Sequence, residues 1–309
     1  MTSTTRNRED WPISAALLQF ENAHDAPTSA WAATFTEVAD AGFDHVDLTD
    51  SWVRPGDLTP GRLAELASTA AATGVGLPAV STARCSVIDP VDGERNLAYL
   101  HRTVEAAAAL GAEVVSVGLH RPLTPAQQRE LWFWTVDGPK DPVGDPEVWD
   151  LAVKRFAELG KHADEVGLLL SLELYEDTYL GTAESAVRLV EDVGLDNVGL
   201  NPDIGNLVRL HRPIEAWQDL VATTMPYANY WHVKNYFRDE DPATGQVVTV
   251  PAPLDLGFVN YRSVVRTALE HGFNGVLCCE HYGGDGLSVS ARNRDYLRTL
   301  LPAATGGTA

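Results

Sequence analysis

Four short segments stand out because each sets an acid or a histidine where an apolar run stops: Leu172-Glu173-Leu174-Tyr175, Asn201-Pro202-Asp203-Ile204-Gly205-Asn206, Trp231-His232-Val233-Lys234-Asn235 and Cys278-Cys279-Glu280-His281. Glu173, Asp203, His232 and Glu280 together make three carboxylates and one imidazole. That set is hard and oxygen-rich, so it suits one divalent ion, Mn²⁺ first and Mg²⁺ or Co²⁺ as alternatives, rather than a thiolate-seeking metal. Three acids brought together without a cation would carry a large desolvation cost, and coordination removes it. The four residues read as metal ligands, provided the fold carries them to one point.

The elements around them are regular enough to test that condition. Short apolar runs alternate with segments of helical periodicity: 13–20 with 30–41, 45–48 with 62–73, 75–80 with 96–110, and 113–119 with 147–166. The alternation continues with 168–174 and 184–193, 198–200 and 214–222, 230–233 and 261–271, and 275–279 and 290–301. Gly42, Gly74 and Gly111 stand where helices should stop. Strands alternating with helices form parallel sheets, and strands apolar throughout imply two covered faces. Eight such units predict a single (β/α)8 TIM barrel over 11–303, with flexible tails at 1–10 and 304–309. A doubly wound open sheet is the alternative. It lacks support, since Gln19-Phe20-Glu21-Asn22 follows the first strand where a glycine-rich dinucleotide fingerprint would stand.

In a TIM barrel, function lies at the C-terminal ends of the strands. Glu173 ends the fifth strand, Asp203 follows the sixth, His232 lies in the seventh and Glu280 ends the eighth, so all four reach one rim. His120, at the end of the fourth strand, adds a group that titrates near neutrality and could protonate a leaving group. Two connections are long, 120–145 and 236–260. The first holds Trp132-Phe133-Trp134, which reads as a lid, a substrate wall, an interface, or a loop folded back on the barrel. His211 and His281 read as structural, and His45 and His101 as surface residues.

Composition narrows the partners. The formal charge of −20 opposes a phosphate backbone, so no nucleic-acid partner is expected and a small substrate is favoured. Three cysteines, two of them the neighbours Cys278 and Cys279, support neither a disulfide framework nor a structural zinc site. No run approaches the roughly 18 apolar residues of a membrane span, and residues 1–10 lack a signal-peptide pattern, so a cytoplasmic enzyme without a membrane partner is expected.

The order Glu, Asp, His, Glu on the fifth to eighth strands, with Asn201-Pro202-Asp203-x-Gly205-Asn206 and His232-x-Lys234-Asn235, resembles the xylose-isomerase-like TIM barrels of the sugar phosphate isomerase/epimerase group. That group includes ketose 3-epimerases, hydroxypyruvate isomerase, inosose dehydratase and the large subunits of C-glycoside deglycosidases. The resemblance runs from about Ile13 to Leu301. It implies that Glu173 and Glu280 double as an acid–base pair, and that Asn206, Lys234 and Arg238 contact substrate. Asn206 stands where ketose epimerases carry a histidine, and the His-x-Lys form is closer to inosose dehydratase.

The function expected is a metal-dependent sugar isomerase or epimerase. A carboxylate removes the proton alpha to a carbonyl, and the ion stabilises the resulting enediolate. A lyase with the same first step, an inosose-type dehydratase or a C-glycoside deglycosidase acting on a 3-keto sugar, is the rival. An endonuclease of the DNA-repair type is a more distant one. The substrate expected is a sugar or polyol, and the chain could act as a homo-oligomer or with a small partner subunit.

Overall fold

The computed structural model describes residues 6–303. Its strands are β1 (Ile13–Ala16), β2 (His45–Thr49), β3 (Gly76–Ser81), β4 (Val114–Val117), β5 (Leu169–Glu173), β6 (Val198–Asn201), β7 (Tyr230–Val233), β8 (Asn235–Glu240), β9 (Val247–Ala252) and β10 (Val276–Cys279). The helices are α1 (Thr28–Asp40), α2 (Pro60–Thr73), α3 (Gly93–Leu110), α4 (Pro146–Glu165), α5 (Ala183–Val193), α6 (Gly205–Val208), α7 (Trp217–Thr224), α8 (Tyr261–Glu270) and α9 (Gly286–Leu300). Among the described residues, eight strands form one parallel sheet in the order β6-β5-β4-β3-β2-β1-β10-β7. The expected TIM barrel is therefore the fold.

Helix starts and stops follow local chemistry. Thr59, Asp145 and Thr182 cap α2, α4 and α5 by accepting hydrogen bonds from the first free backbone N–H groups. Gly74 and Gly111 end α2 and α3 at φ 76°, a left-handed conformation that a side chain would strain.

Strand parity separates two cores. Ile13, Leu48, Val80, Val115, Leu170 and Leu200 point outward and join Trp31, Phe35 and Phe156 in the large core between sheet and helices. The other parity faces the lumen, where Ala16, Ala79, Val114, Tyr230, Val276 and Cys278 form a small separate cluster. Ser14, Asp47, Ser116, Ser171 and Asn201 are buried at 0% exposure. The strands are thus not apolar throughout, as the sequence suggested. Lumen neighbours supply partners for some of these, as Ser116 does for Asn201 at 3.2 Å and His232 for Asp47 at 3.0 Å, whereas the Ser14 and Ser171 hydroxyls have none among the described residues.

Among the described residues the weak seam lies between β6 and β7. It carries an isolated parallel bridge, Leu200 to Ala228, rather than a full ladder. Asn201 completes it: its Oδ1 accepts from the His232 backbone N–H at 2.7 Å. Closure of the barrel and placement of His232 therefore share one side chain.

Several boundaries differ from expectation. The fourth strand stops at Val117, which leaves His120 in the loop. The one-turn helix α6 precedes α7 and carries Asn206. The 236–260 connection is mostly an antiparallel hairpin, β8 with β9, running from Asn235↔Ala252 to Glu240↔Val247. The 120–145 connection holds two 3-10 turns and no strand. Residues 6–10, expected in a free tail, are tied across the barrel base: Arg6 pairs with Glu113 at 2.9 Å and the Arg8 N–H donates to Pro302 O at 2.7 Å. Residues 1–5 and 304–309, the remainder of the expected tails, lie outside the described residues. No described helix is long and apolar enough to cross a membrane.

Candidate metal centre

Glu173 is the last residue of β5, Asp203 lies two beyond β6, His232 is the third residue of β7, and Glu280 directly follows β10. One ligand atom from each lies within 4.8 Å of all the others, and all four residues are buried. His232 sits at the centre. Its Nδ1 is 3.1 Å from Glu280 Oε2, 3.6 Å from Glu173 Oε1 and 3.7 Å from Asp203 Oδ2, and it is buried without a hydrogen-bond partner.

The other ring nitrogen explains that orientation. His232 Nε2 lies 3.0 Å from Asp47 Oδ2 and 3.2 Å from Ser81 Oγ. A neutral ring that donates Nε2–H to the Asp47 carboxylate would present its Nδ1 lone pair to a cation among the three acids, the carboxylate–histidine arrangement typical of a metal site. Without a cation, burial lowers the imidazole pKa, but Tyr230, Cys278 and the surrounding acids outweigh it and hold it well above its ordinary value. The unpartnered Nδ1 and the convergent oxygens fit a small divalent ion.

Lys234 lies behind the ligands, not in the cavity. Its ammonium is 2.6 Å from Glu280 Oε1 and 2.8 Å from Asp203 Oδ2, and its side chain is 2% exposed. The expected contact with substrate is thereby replaced by an ion pair with two ligands. Its stem packs on Gly205, where a Cβ would stand 2.2 Å from Lys234 Cγ. Burial raises the Glu280 pKa, but the Lys234 ammonium and His232 outweigh it and hold Glu280 down to about 2. Asp203 is pushed up to about 7 by burial; Lys234 opposes this, and the charges of Glu280 and Glu173 reinforce it.

Asn206 and His120 act on Glu173. The Asn206 amide donates to Glu173 Oε1 at 3.0 Å and to Leu174 O at 2.9 Å, fixing the carboxylate from the α6 side. His120 Nε2 is 3.5 Å from Glu173 Oε2, and its ring stands edge-on to Tyr175 at 4.2 Å. Burial pulls the His120 pKa down to about 4, with Glu173 opposing, so the imidazole is neutral at pH 7.

Arg238 is not brought to this site. It donates to the carbonyls of Val208, Leu210 and Arg212, bracing the segment after α6 against the hairpin. A position in the sequence could not distinguish that bracing role from a substrate contact, because the hairpin that redirects the side chain was itself unforeseen.

A cavity of about 230 Å³ opens over the ligands, with Glu173, His232, Glu280, His120, Asn206 and Arg84 among its walls. Beside this cavity, Trp132-Phe133-Trp134 folds back as an aromatic roof packed on Tyr236 and Tyr282, and of these five only Tyr282 lines the cavity. Trp132 stacks on Trp134 at 5.0 Å, Trp134 meets Tyr236 and Tyr282 at 5.5 Å each, and its Nε1 donates to Thr249 Oγ1 at 3.3 Å. The buried Arg209 pins this roof. Its guanidinium lies 4.8 Å from the Phe133 ring and 4.9 Å from Trp134, and it pairs with both Glu176 oxygens at 2.9 and 3.0 Å. Sequence reasoning missed Arg209, Asp47 and Arg84. For Asp47 a signal existed, an acid inside the apolar run 45–48, which demands a buried partner.

The sequence pattern of the xylose isomerase-like TIM barrel matches residues 35–300. The chain belongs to that family. Within it, the D-psicose 3-epimerase of Agrobacterium fabrum is 24% identical over 250 residues, 76% of this chain and 79% of the relative. A xylose isomerase-like TIM barrel protein from Mycobacterium smegmatis, solved in complex with magnesium, is 46% identical with a TM-score of 0.91, covering 96% of this chain and 98% of that one. The 3-keto-D-glucoside 4-epimerase of E. coli shares the fold at 14% identity, with a TM-score of 0.67 over 94% of this chain and 100% of that one.

Proposed function

We propose that the protein is a divalent-metal-dependent sugar isomerase or epimerase that removes a proton alpha to a carbonyl. The observation that carries this reading is the convergence of Glu173, Asp203, His232 and Glu280 on the unpartnered His232 Nδ1, at the floor of a cavity of about 230 Å³. The likeness to a D-psicose 3-epimerase supports the reaction class. The magnesium complex of the M. smegmatis protein supports a divalent ion. Mn²⁺ and Mg²⁺ both suit three carboxylates and an imidazole, and we keep Mn²⁺ as the ion expected to give the higher rate.

Glu173, Asp203, His232 and Glu280 would hold the ion, which when bound polarises a carbonyl and the hydroxyl beside it. The protein's own groups do the rest. Glu173 ends β5, beyond β6 on one side of β7, and Glu280 follows β10 on the other, so each reaches the cavity from a different side of His232. One carboxylate takes the alpha proton, and the other returns a proton to the opposite face. Asn206 keeps the Glu173 oxygen turned inward. A lyase needs in addition an acid for the leaving group, and a neutral His120 is a weak one.

The test is incubation of the metal-loaded protein with keto sugars in D₂O. Deuterium should enter one carbon adjacent to the carbonyl. Glu173→Gln and Glu280→Gln should each lower that exchange by about 10² to 10⁴ while metal content, measured in parallel, is retained. Near-normal exchange in a fully loaded variant would remove that glutamate from the mechanism.

A further inference from the structure

Arg84 is a cation in the cavity wall without an acidic partner. Among the described residues no carboxylate lies within 4.0 Å of it, whereas the neighbouring Arg121, Arg209 and Arg212 are each paired, with Asp141, Glu176 and Asp177. Its hydrogen bonds all leave from one nitrogen. Nη1 donates to Arg121 O at 3.1 Å and to Tyr175 Oη at 2.8 Å, so Nε and Nη2 have no protein acceptor. The side chain lines both the cavity over the metal ligands and an adjoining one of about 90 Å³.

The surroundings hold that guanidinium in place. It lies 5.0 Å from the Phe133 ring and 5.3 Å from Tyr175, between the roof and the wall. Its backbone adopts φ 60°, which a non-glycine residue avoids. The loop is locked there because the Ala83 N–H donates to Asp50 Oδ1 at 2.9 Å, and Asp50 is buried. A strained backbone, an aromatic clamp and two free N–H groups together present a fork of matched geometry for a planar or tetrahedral oxyanion.

We infer that Arg84 reads an anionic group, a carboxylate or a phosphate, carried by the substrate at the end remote from the metal-binding carbons. This inference rests on the isomerase reading for its sugar, but not for its anion site. The second cavity gives the charged end room, and Arg84 stands at the passage between the two.

The experiment measures binding, independently of turnover, by calorimetry on the magnesium-loaded full chain. Three probes are compared: D-fructose, D-fructose 6-phosphate and 5-keto-D-gluconate. The anionic probes should bind roughly 10-fold or more tightly than fructose, the gain typical of a charge-assisted hydrogen bond. Whichever anion binds more tightly identifies the group. In Arg84→Gln the anionic-to-neutral ratio should fall towards one, and Arg84→Lys should keep an intermediate ratio, because an ammonium retains charge without the fork. Equal affinity for all three probes, no binding of any, or equal weakening of all three in Arg84→Gln would overturn the inference. Deuterium exchange separates the two ideas. Charge-dependent binding without exchange on any probe sinks the isomerase reading alone, whereas exchange on fructose without a charge preference sinks the role of Arg84 alone.

Discussion

Replacing Lys234 by Met removes one charge from the centre of the ligand set while keeping the unbranched stem that packs over Gly205. The ammonium lies 2.6 and 2.8 Å from Glu280 and Asp203, and at an effective dielectric of about 20 each contact is worth roughly 6 kcal/mol before desolvation is subtracted. Desolvation of three buried groups consumes much of that gain, and breaking a buried pair of this kind costs about 3–5 kcal/mol. With an unfolding entropy of about 2.1 cal/mol/K per residue, a chain of 309 residues should then melt about 5–8 °C lower in the presence of a chelator. A bound divalent ion neutralises the same two carboxylates, so magnesium should restore most of the loss. The assay is a pair of thermal melts, with EDTA and with excess Mg²⁺, on wild type and Lys234→Met. The magnesium-induced rise should be several degrees larger in the variant. An unchanged melt in EDTA, or the same magnesium shift in both proteins, would refute the view that Lys234 balances the ligand carboxylates.

Three further outcomes follow from the same geometry. Asp47→Asn should weaken Mg²⁺ binding about 10- to 100-fold by calorimetry, because the amide no longer fixes the His232 tautomer; unchanged affinity would show that Ser81 suffices. Gly205→Ala should cost about 1–3 kcal/mol in denaturant unfolding and weaken metal binding, since its Cβ would stand 2.2 Å from Lys234 Cγ; wild-type values would mean the stem shifts without consequence. Asp50 is raised from 3.8 to about 6, burial outweighing the Ala83 N–H and Arg54. A raised folded-state pKa means that the folded state binds the proton more tightly, so the stability contribution is complete below about pH 4 and is lost as pH rises through about 6, amounting to roughly 3 kcal/mol. In Asp50→Asn the pH dependence of unfolding between pH 4 and 6 should flatten, and an unchanged slope would assign it to other groups.

The fold was legible because its signals are local. Apolar runs, helical spacing and stop glycines such as Gly74 and Gly111 act within a few residues of chain, and eight repeats of them left little choice but a barrel. The convergent cluster of Glu173, Asp203, His232 and Glu280 was legible for a related reason: a charged residue at the end of an apolar strand is conspicuous, and the barrel places all such ends on one rim. Lumen parity was less visible. Asp47, Ser116 and Ser171 sit in short runs that read as apolar because one polar residue in four or five barely alters the pattern.

What only the tertiary structure decided is which partner each side chain meets. Lys234, Asn206 and Arg238 have the same residue types wherever they point. Packing turns the first onto Asp203 and Glu280, the second onto Glu173, and the third away onto the carbonyls of Val208, Leu210 and Arg212. The hairpin β8–β9 has apolar residues on its exposed face too, Phe237, Val248 and Val250, so no apolar–polar alternation marked its strands and the fate of Arg238 could not be read from the chain. Asn201 joins β6 to His232, and Asp47 reaches His232 across 185 positions of sequence. The sequence by itself determined the barrel and the four candidate ligands, since strand periodicity and ligand chemistry are properties of short segments. The orientation of those ligands, the free guanidinium of Arg84 and the roof pinned by Arg209 depend on contacts between distant segments, and those contacts exist only once the barrel has closed.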